Sequence, residues 1–186
     1  MDKNVILFFA DGTEEVEALV PYDMLKRCGA KVVLCAVGEG KVKKGSHNLS
    51  VECDINEKEI DLNTEFDIIV IPGGGLGSSN MAKSDVVDHF VKRALKEDRY
   101  ISSICASPSV VLGSKGVLEG KKAVCYPGFE EGMKGALSSE AGVVKDGKII
   151  TAKGCGVSFE FSFEIISCLF GDEKTEELKR KIIWSC

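Results

Sequence analysis

The chain has 186 residues, 44% hydrophobic and 28% charged, an ordinary balance for a soluble globular protein and enough for one domain over residues 1–186 with a sizeable core. Its net charge of −5, with no basic stripe, argues against a specific nucleic-acid partner. The apolar run near the N-terminus covers six residues and ends at Ala10, too short for a signal-peptide core or a membrane span, so a cytoplasmic protein without a membrane partner is expected.

Val5 to Ala10 has the continuous apolar character of a strand buried on both faces in a parallel sheet. Asp11-Gly12 makes a turn, and Thr13 is placed to N-cap a helix with Glu14 and Glu15 in its first turn. That helix carries Val16, Leu19, Val20, Met24 and Leu25 on one face and ends at Cys28-Gly29. Val32 to Val37 is a second strand. Gly38 to Gly45 is a charged loop without phosphate-loop spacing. Leu49 to Cys53 suits a short strand, and Ile55 to Glu65 a connection with a short helix. Phe66 to Pro72 is the clearest central strand and runs into the glycine-rich turn Gly73 to Ser78. Ser84 caps a helix over 85–97 with Val86, Val87, Phe90, Val91 and Leu95 on one face.

A strand from Tyr100 leads to Cys105 and a helix that opens Ala106-Ser107-Pro108 and closes near Gly116–Leu118. Ala123 to Pro127 suits another strand. Val143 to Thr151 is a hairpin turning on Asp146-Gly147. Gly154-Cys155-Gly156 is a tight turn. An amphipathic helix over 157–170 and a charged one over 173–183 complete the chain. Strands alternating with helices predict an α/β fold, mostly parallel and doubly wound, with its functional crevice beyond the carboxyl ends of the strands.

Eight cysteines stand in the chain, none in a C-x-x-C pair, so neither a zinc ribbon nor a thioredoxin-like redox pair is expected. Cys28, Cys35, Cys125 and Cys168 lie in apolar periodic segments as small core residues. Cys105 is different, because it stands where a strand turns into a helix. The dipole and free N–H groups there would lower its pKa. Ser103 and Ser107, two residues to either side, are small enough for a sharp elbow like that of G-x-S-x-G hydrolases. A nucleophile and a buried structural thiol both fit that position.

The glycines after Pro72 also have two readings. A dinucleotide fingerprint would need glycine at position 78, where serine stands, and an acidic residue further on where a helix falls. A turn that presents N–H groups to an oxyanion beside the next strand's nucleophile fits better. Glu17 lies among apolar residues one turn into the first helix. If it faces Cys105 from a partly buried site, its pKa rises and it can serve as a general acid and base. His47 and His89 both stand away from strand ends, so no Cys–His dyad is evident and a cysteine peptidase is disfavoured.

These stretches together resemble the ThiJ/PfpI superfamily, specifically its parkinsonism-associated deglycase branch. The matching segments are 10–29, 66–80, 104–112 and 143–161, and the similarity extends over essentially the whole chain. The resemblance implies a flavodoxin-like sandwich, a mostly parallel sheet flanked by helices with a small β-hairpin addition, and a homodimer. It makes Cys105 the nucleophilic, redox-sensitive thiol and Glu17 its partner, with the backbone amides of Gly74 and Ala106 as oxyanion donors. Arg27 matches a basic position near the family's site and dimer contact; capping its own helix is the alternative. Two positions depart from the family. Tyr126 stands where many members have histidine and supplies at most a hydroxyl. Cys155 replaces the usual proline between two glycines and adds a thiol toward the same crevice, so a Cys105–Cys155 disulfide is a hypothesis.

The function so implied is a cofactor-free, metal-free cysteine enzyme of deglycase or glyoxalase type, linked to oxidative-stress protection. Its partners would be methylglyoxal, glyoxal or their early adducts on glycated protein. The alternative is a non-enzymatic redox sensor or chaperone whose Cys105 oxidises to sulfinate.

Overall fold

A computed structural model describes residues 3–185. The first apolar run forms β1 (Asn4–Ala10), followed by α1 (Glu15–Arg27) and β2 (Lys31–Val37). Short strands β3 (Val42–Lys44), β4 (Ser50–Glu52) and β5 (Ile55–Asn56) come next, then β6 (Ile68–Ile71), α2 (Gly75–Ala82) and α3 (Asp85–Lys96). After β7 (Tyr100–Ile104) come β8 (Lys122–Ala123), β9 (Leu137–Ser138), β10 (Val143–Asp146) and β11 (Ile149–Ala152). Two helices, α4 (Ser158–Phe170) and α5 (Asp172–Lys181), end the chain.

Seven strands form the main sheet in the order β10-β11-β7-β6-β1-β2-β5. Every pairing in it is parallel except β10 with β11, the antiparallel hairpin that turns on Asp146-Gly147. The fold is thus the flavodoxin-like sandwich with a small hairpin addition.

Strand periodicity builds the two layers of core. Successive residues of β1 point to opposite faces. Val5, Leu7 and Phe9 join a cluster with Leu25, Phe161 and Ile165, whereas Ile6, Phe8 and Ala10 join one with Phe66, Phe90 and Leu112. Helices α1, α4 and α5 cover the first face; α2 and α3 cover the second. Each face buries its apolar side chains at roughly 25 cal/mol per Å², so this two-sided burial dominates the fold's stability. Among the described residues no helix is long and apolar enough to cross a membrane.

Several expectations are corrected. Thr13 does not cap α1: its Oγ1 accepts from the Ala10 N–H at 3.0 Å and closes the turn, and Glu14 occupies the cap. The apolar face of α1 is rotated, with Val16 44% exposed and Glu17 only 1% exposed. The charged loop 38–45 contains β3, paired antiparallel with β4, and buries Lys43, whose Nζ donates to the Glu39 carbonyl at 2.6 Å. Segment 55–65 contains the edge strand β5 and turns instead of a helix. The glycine run opens α2. On α3, Leu95 is exposed and Ala94 takes the inward position. The strand expected over 123–127 shrinks to β8, because it pairs only with two-residue β9. Cys28, Cys35 and Cys125 are buried as expected; Cys168 is only half-buried.

The Ser84 cap holds: its Oγ accepts from the Val87 N–H at 3.1 Å. Ser84→Ala is therefore expected to cost about 1 kcal/mol in a denaturant titration. An unchanged midpoint would show that the cap contributes nothing.

Candidate active site

Four adjacent strands, β11, β7, β6 and β1, end on the same edge of the sheet, and each delivers one part of the site. Glu17 follows β1, Gly73 and Gly74 follow β6, Cys105 follows β7, and Cys155 follows β11.

The glycines exist because two turns cross at contact distance. Gly74 has φ +90°, and a Cβ on it would fall 2.2 Å from the Gly12 carbonyl oxygen. Across the same contact the Glu14 N–H donates to the Gly73 carbonyl at 3.1 Å and the Gly77 N–H to the Gly12 carbonyl at 3.1 Å. A Cβ on Gly73 would stand 2.5 Å from both Cys105 Cβ and Glu17 Oε2. Absence of a side chain at Gly73 is what lets the carboxylate and the thiol meet.

Cys105 holds φ +66°, a left-handed conformation that costs a non-glycine residue about 1–3 kcal/mol. The surroundings enforce it. Its N–H donates to the Ala152 carbonyl at 2.9 Å, and its carbonyl accepts from the Tyr126 N–H at 2.7 Å. Ser107 Oγ donates to the Pro72 carbonyl at 2.6 Å and pairs with Ser78 Oγ at 2.8 Å, tying the elbow to the β6 turn. The segment after the elbow is one wide π-turn, Pro108–Leu112, tightening into a 3₁₀ turn at Gly113–Lys115, instead of a regular helix.

Glu17 accepts from the Gly73 N–H at 2.9 Å through Oε2, and its carboxyl faces the Cys105 side chain. The Cys155 N–H faces the same carboxyl but falls short of hydrogen-bond geometry, and Oε1 is buried with no partner. Burial raises the Glu17 pKa to about 7, against the opposing hydrogen bonds from Cys105 and Gly73. The Cys105 thiol is pushed up to about 12, first by burial and then by the Glu17 charge; the Gly74 and Ala106 N–H groups act in the opposite direction. The expected lowering of the thiol pKa is therefore corrected. A single wide turn supplies little dipole, and burial beside a carboxylate outweighs it. Thiol and carboxyl behave as one unit that gives up a first proton far more easily than a second.

This has a consequence for stability. A group whose pKa rises on folding stabilises the fold below its unfolded value and loses that contribution as pH rises through the folded one. Between pH 4.5 and about 7 the wild type should lose up to about 3 kcal/mol from Glu17. Urea titrations at both ends of that window test it, with Glu17→Gln expected to remove this part of the slope.

Tyr126 is 49% exposed. Its ring packs edge-on against Phe129, and its Cδ2 lies 3.3 Å from where a Gly154 Cβ would stand, so it lines the rim beside the Cys155 turn. Cys155 is exposed, and both it and Cys105 are free thiols. Arg27 is not brought to the site. It lies ten residues beyond Glu17, about 15 Å along α1, and pairs with Asp23 at 2.7 Å on the surface. Neither histidine pairs with Cys105. His89 contacts the Leu62 carbonyl at 3.1 Å, and His47 Nδ1 meets Glu15 Oε2 at 3.1 Å.

Glu15, expected only as a first-turn carboxylate, is buried at the start of α1. Burial pushes its pKa up, but hydrogen bonds from its own backbone, His47 and Ser46 outweigh that and hold it at about 2. Glu14, Glu15 and His47 place ligand atoms within 4.8 Å of one another and are the group among the described residues that could hold a metal ion. They already pair with each other through Ser46.

The DJ-1/PfpI family profile matches residues 3–168. Protein DJ-1 homolog B of Arabidopsis thaliana is 35% identical over 182 residues, 97% of this chain and 41% of that protein, so the chain spans less than half of that relative's length. The glutathione-independent glyoxalase DJR-1.2 of Caenorhabditis elegans is 34% identical over 96% of this chain and 94% of its own. The solved structure of oxidized Toxoplasma gondii DJ-1 superposes with a TM-score of 0.95 at 30% identity, covering 99% of this chain and all of that one.

Proposed function

The chain belongs to the DJ-1/PfpI family, and we propose that it is a cofactor-free cysteine enzyme that converts methylglyoxal, glyoxal or their early protein adducts to hydroxy acids. The observation that carries this reading is the Cys105–Glu17 pair: a thiol on a strained elbow whose proton partner is a carboxyl with a pKa near 7. A carboxyl titrating there can both take and return a proton at neutral pH. That the C. elegans relative is named a glutathione-independent glyoxalase supports the same chemistry.

At neutral pH the pair shares one proton, which passes from Cys105 to Glu17 as the sulfur attacks, and the charge developing on Sγ is faced by the Gly74 and Ala106 N–H groups. Sulfur attacks the aldehyde carbon of methylglyoxal, forming a C–S bond, and the carbonyl oxygen takes a proton from Glu17. The resulting Glu17 carboxylate removes the proton from that carbon and returns it to the neighbouring carbon, while the new hydroxyl gives its proton to the ketone oxygen, so the ketone becomes an alcohol and the attacked carbon a thioester carbonyl. Water then adds its hydroxyl to the thioester carbon and gives its other proton to Glu17, the C–S bond breaks, and lactic acid leaves with the charge returned to Cys105. Overall, one methylglyoxal and one water give one lactic acid. Tyr126 at the rim would offer its hydroxyl to the substrate, and Arg27 would act through a partner subunit of the proposed homodimer.

The test is lactate release from methylglyoxal in buffer free of glutathione and added metal. Release above the buffer rate supports the reading, and none at any substrate concentration rejects it. A second reading, a peroxide sensor in the cytoplasm, is favoured by the contrast in thiol access. Cys105 is half-buried, whereas Cys28, Cys35, Cys53 and Cys125 are buried. Oxidation would then begin at the thiols peroxide can reach.

A further inference from the structure

We propose that Cys155 is a resolving thiol for Cys105, closing a disulfide across the Glu17 carboxyl once peroxide has oxidised Cys105 to a sulfenic acid. The two cysteines approach one carboxyl from two neighbouring strand ends. Ile104 is registered with Ala152, and the Cys105 N–H donates to the Ala152 carbonyl at 2.9 Å. The elbow and the Gly154-Cys155 turn therefore start about 5 Å apart, the spacing of neighbouring strands.

Glu17 then bridges them. Its carboxyl faces both the Cys105 side chain and the Cys155 N–H, and the Cβ position of Gly154 lies 3.9 Å from Oε1. A disulfide requires Cα atoms within about 7 Å, so the bridge closes if the Cys155 turn carries its thiol over that carboxyl. The turn that carries Cys155 is anchored: Ser158 Oγ donates to the Cys155 carbonyl at 2.8 Å, and the Val157 N–H to the Gly154 carbonyl at 3.0 Å.

A second, independent observation is the Oε1 atom itself. It belongs to a side chain 99% withdrawn from solvent, yet it has no partner. Such an orphan costs about 1–3 kcal/mol unless something donates to it. A sulfenic hydroxyl on Cys105 would be that donor, holding the oxidised sulfur beside the Cys155 turn.

The chemistry balances with peroxide as the oxidant. Cys105 thiolate attacks one peroxide oxygen, the O–O bond breaks, and the departing hydroxide takes the Glu17 proton as water. Cys155 then gives its proton to the Glu17 carboxylate, and its sulfur attacks the Cys105 sulfur. The S–O bond breaks, the S–S bond forms, and the second hydroxide leaves as water with the same Glu17 proton. Two thiols are oxidised by two electrons, and one peroxide is reduced to two waters.

The reduced full-length protein, treated with hydrogen peroxide, alkylated and digested, tests this by mass spectrometry, a readout independent of any carbonyl turnover. The expected product is a peptide pair joined through Cys105 and Cys155 within one chain and lost on reduction. In Cys155→Ser that pair is absent and Cys105 sulfinate should form about tenfold faster or more, since an intramolecular thiol no longer intercepts the sulfenic acid. Cys105 sulfinate with Cys155 unlinked in the wild type, equal sulfinate rates in both proteins, or a Cys155 link only between two copies would each overturn the proposal.

Discussion

Cys105→Ala is expected to lower lactate release from methylglyoxal by about a thousandfold or more, because no other group can form the thioester. The remaining cysteines do not substitute for it. Cys35, Cys53 and Cys125 are buried thiols pushed up to about 12, 11 and 11 by burial, and Cys155 is exposed outside the elbow. The substitution should leave the fold intact, since alanine avoids the thiol but keeps the Cβ that already fits beside Gly73. It does not relieve the left-handed φ of +66°. Stability should therefore change little while turnover vanishes, measured by lactate release and urea titration on the same sample. Residual activity within tenfold of the wild type would place the chemistry elsewhere.

Glu17→Gln is expected to separate two properties that a purely structural residue would move together. Glutamine can still accept from the Gly73 N–H, so the elbow should hold. It cannot shuttle a proton, and turnover should fall about 10²–10⁴-fold, the usual contribution of a general acid–base group. Thiol reactivity should change in the opposite direction. The Glu17 charge is one of the causes that pushes the Cys105 pKa up, and removing it lowers that pKa and raises the thiolate fraction. Alkylation of Cys105 by iodoacetamide at neutral pH should thus be faster than in the wild type. Turnover within tenfold of the wild type would mean that Glu17 carries no proton and only supports the elbow.

Much of this fold was legible in the sequence where burial on both faces left a continuous apolar run, as in β1 and β6. The elbow was legible too, since Ser103, Ser107 and Pro108 around Cys105 are the small and helix-starting residues such a turn needs. Local pattern failed where tertiary contact overrode it. On α1 the place of Val16 was misjudged: Glu17, the carboxylate set among apolar neighbours, turns inward to the Gly73 N–H and the thiol, and Val16 faces solvent. The β3–β4 hairpin was hidden by its lysines; Lys43 is buried because the Glu39 carbonyl receives its ammonium. The sign of the thiol pKa shift could not come from position alone. It depends on how deeply Cys105 sits and on the carboxyl beside it, both set by the crossing of the Gly12 and Gly74 turns. Arg27, matched by resemblance, lies too far along α1 to meet Cys105 within one chain.

Lactate release from methylglyoxal by the wild type, Cys105→Ala, Glu17→Gln and the double variant, assayed together, tests most directly whether thiol and carboxyl act as one catalytic unit. The expected result is a double variant no slower than Cys105→Ala alone, since groups that share one step do not contribute additively. Equal rates in all four proteins would contradict it.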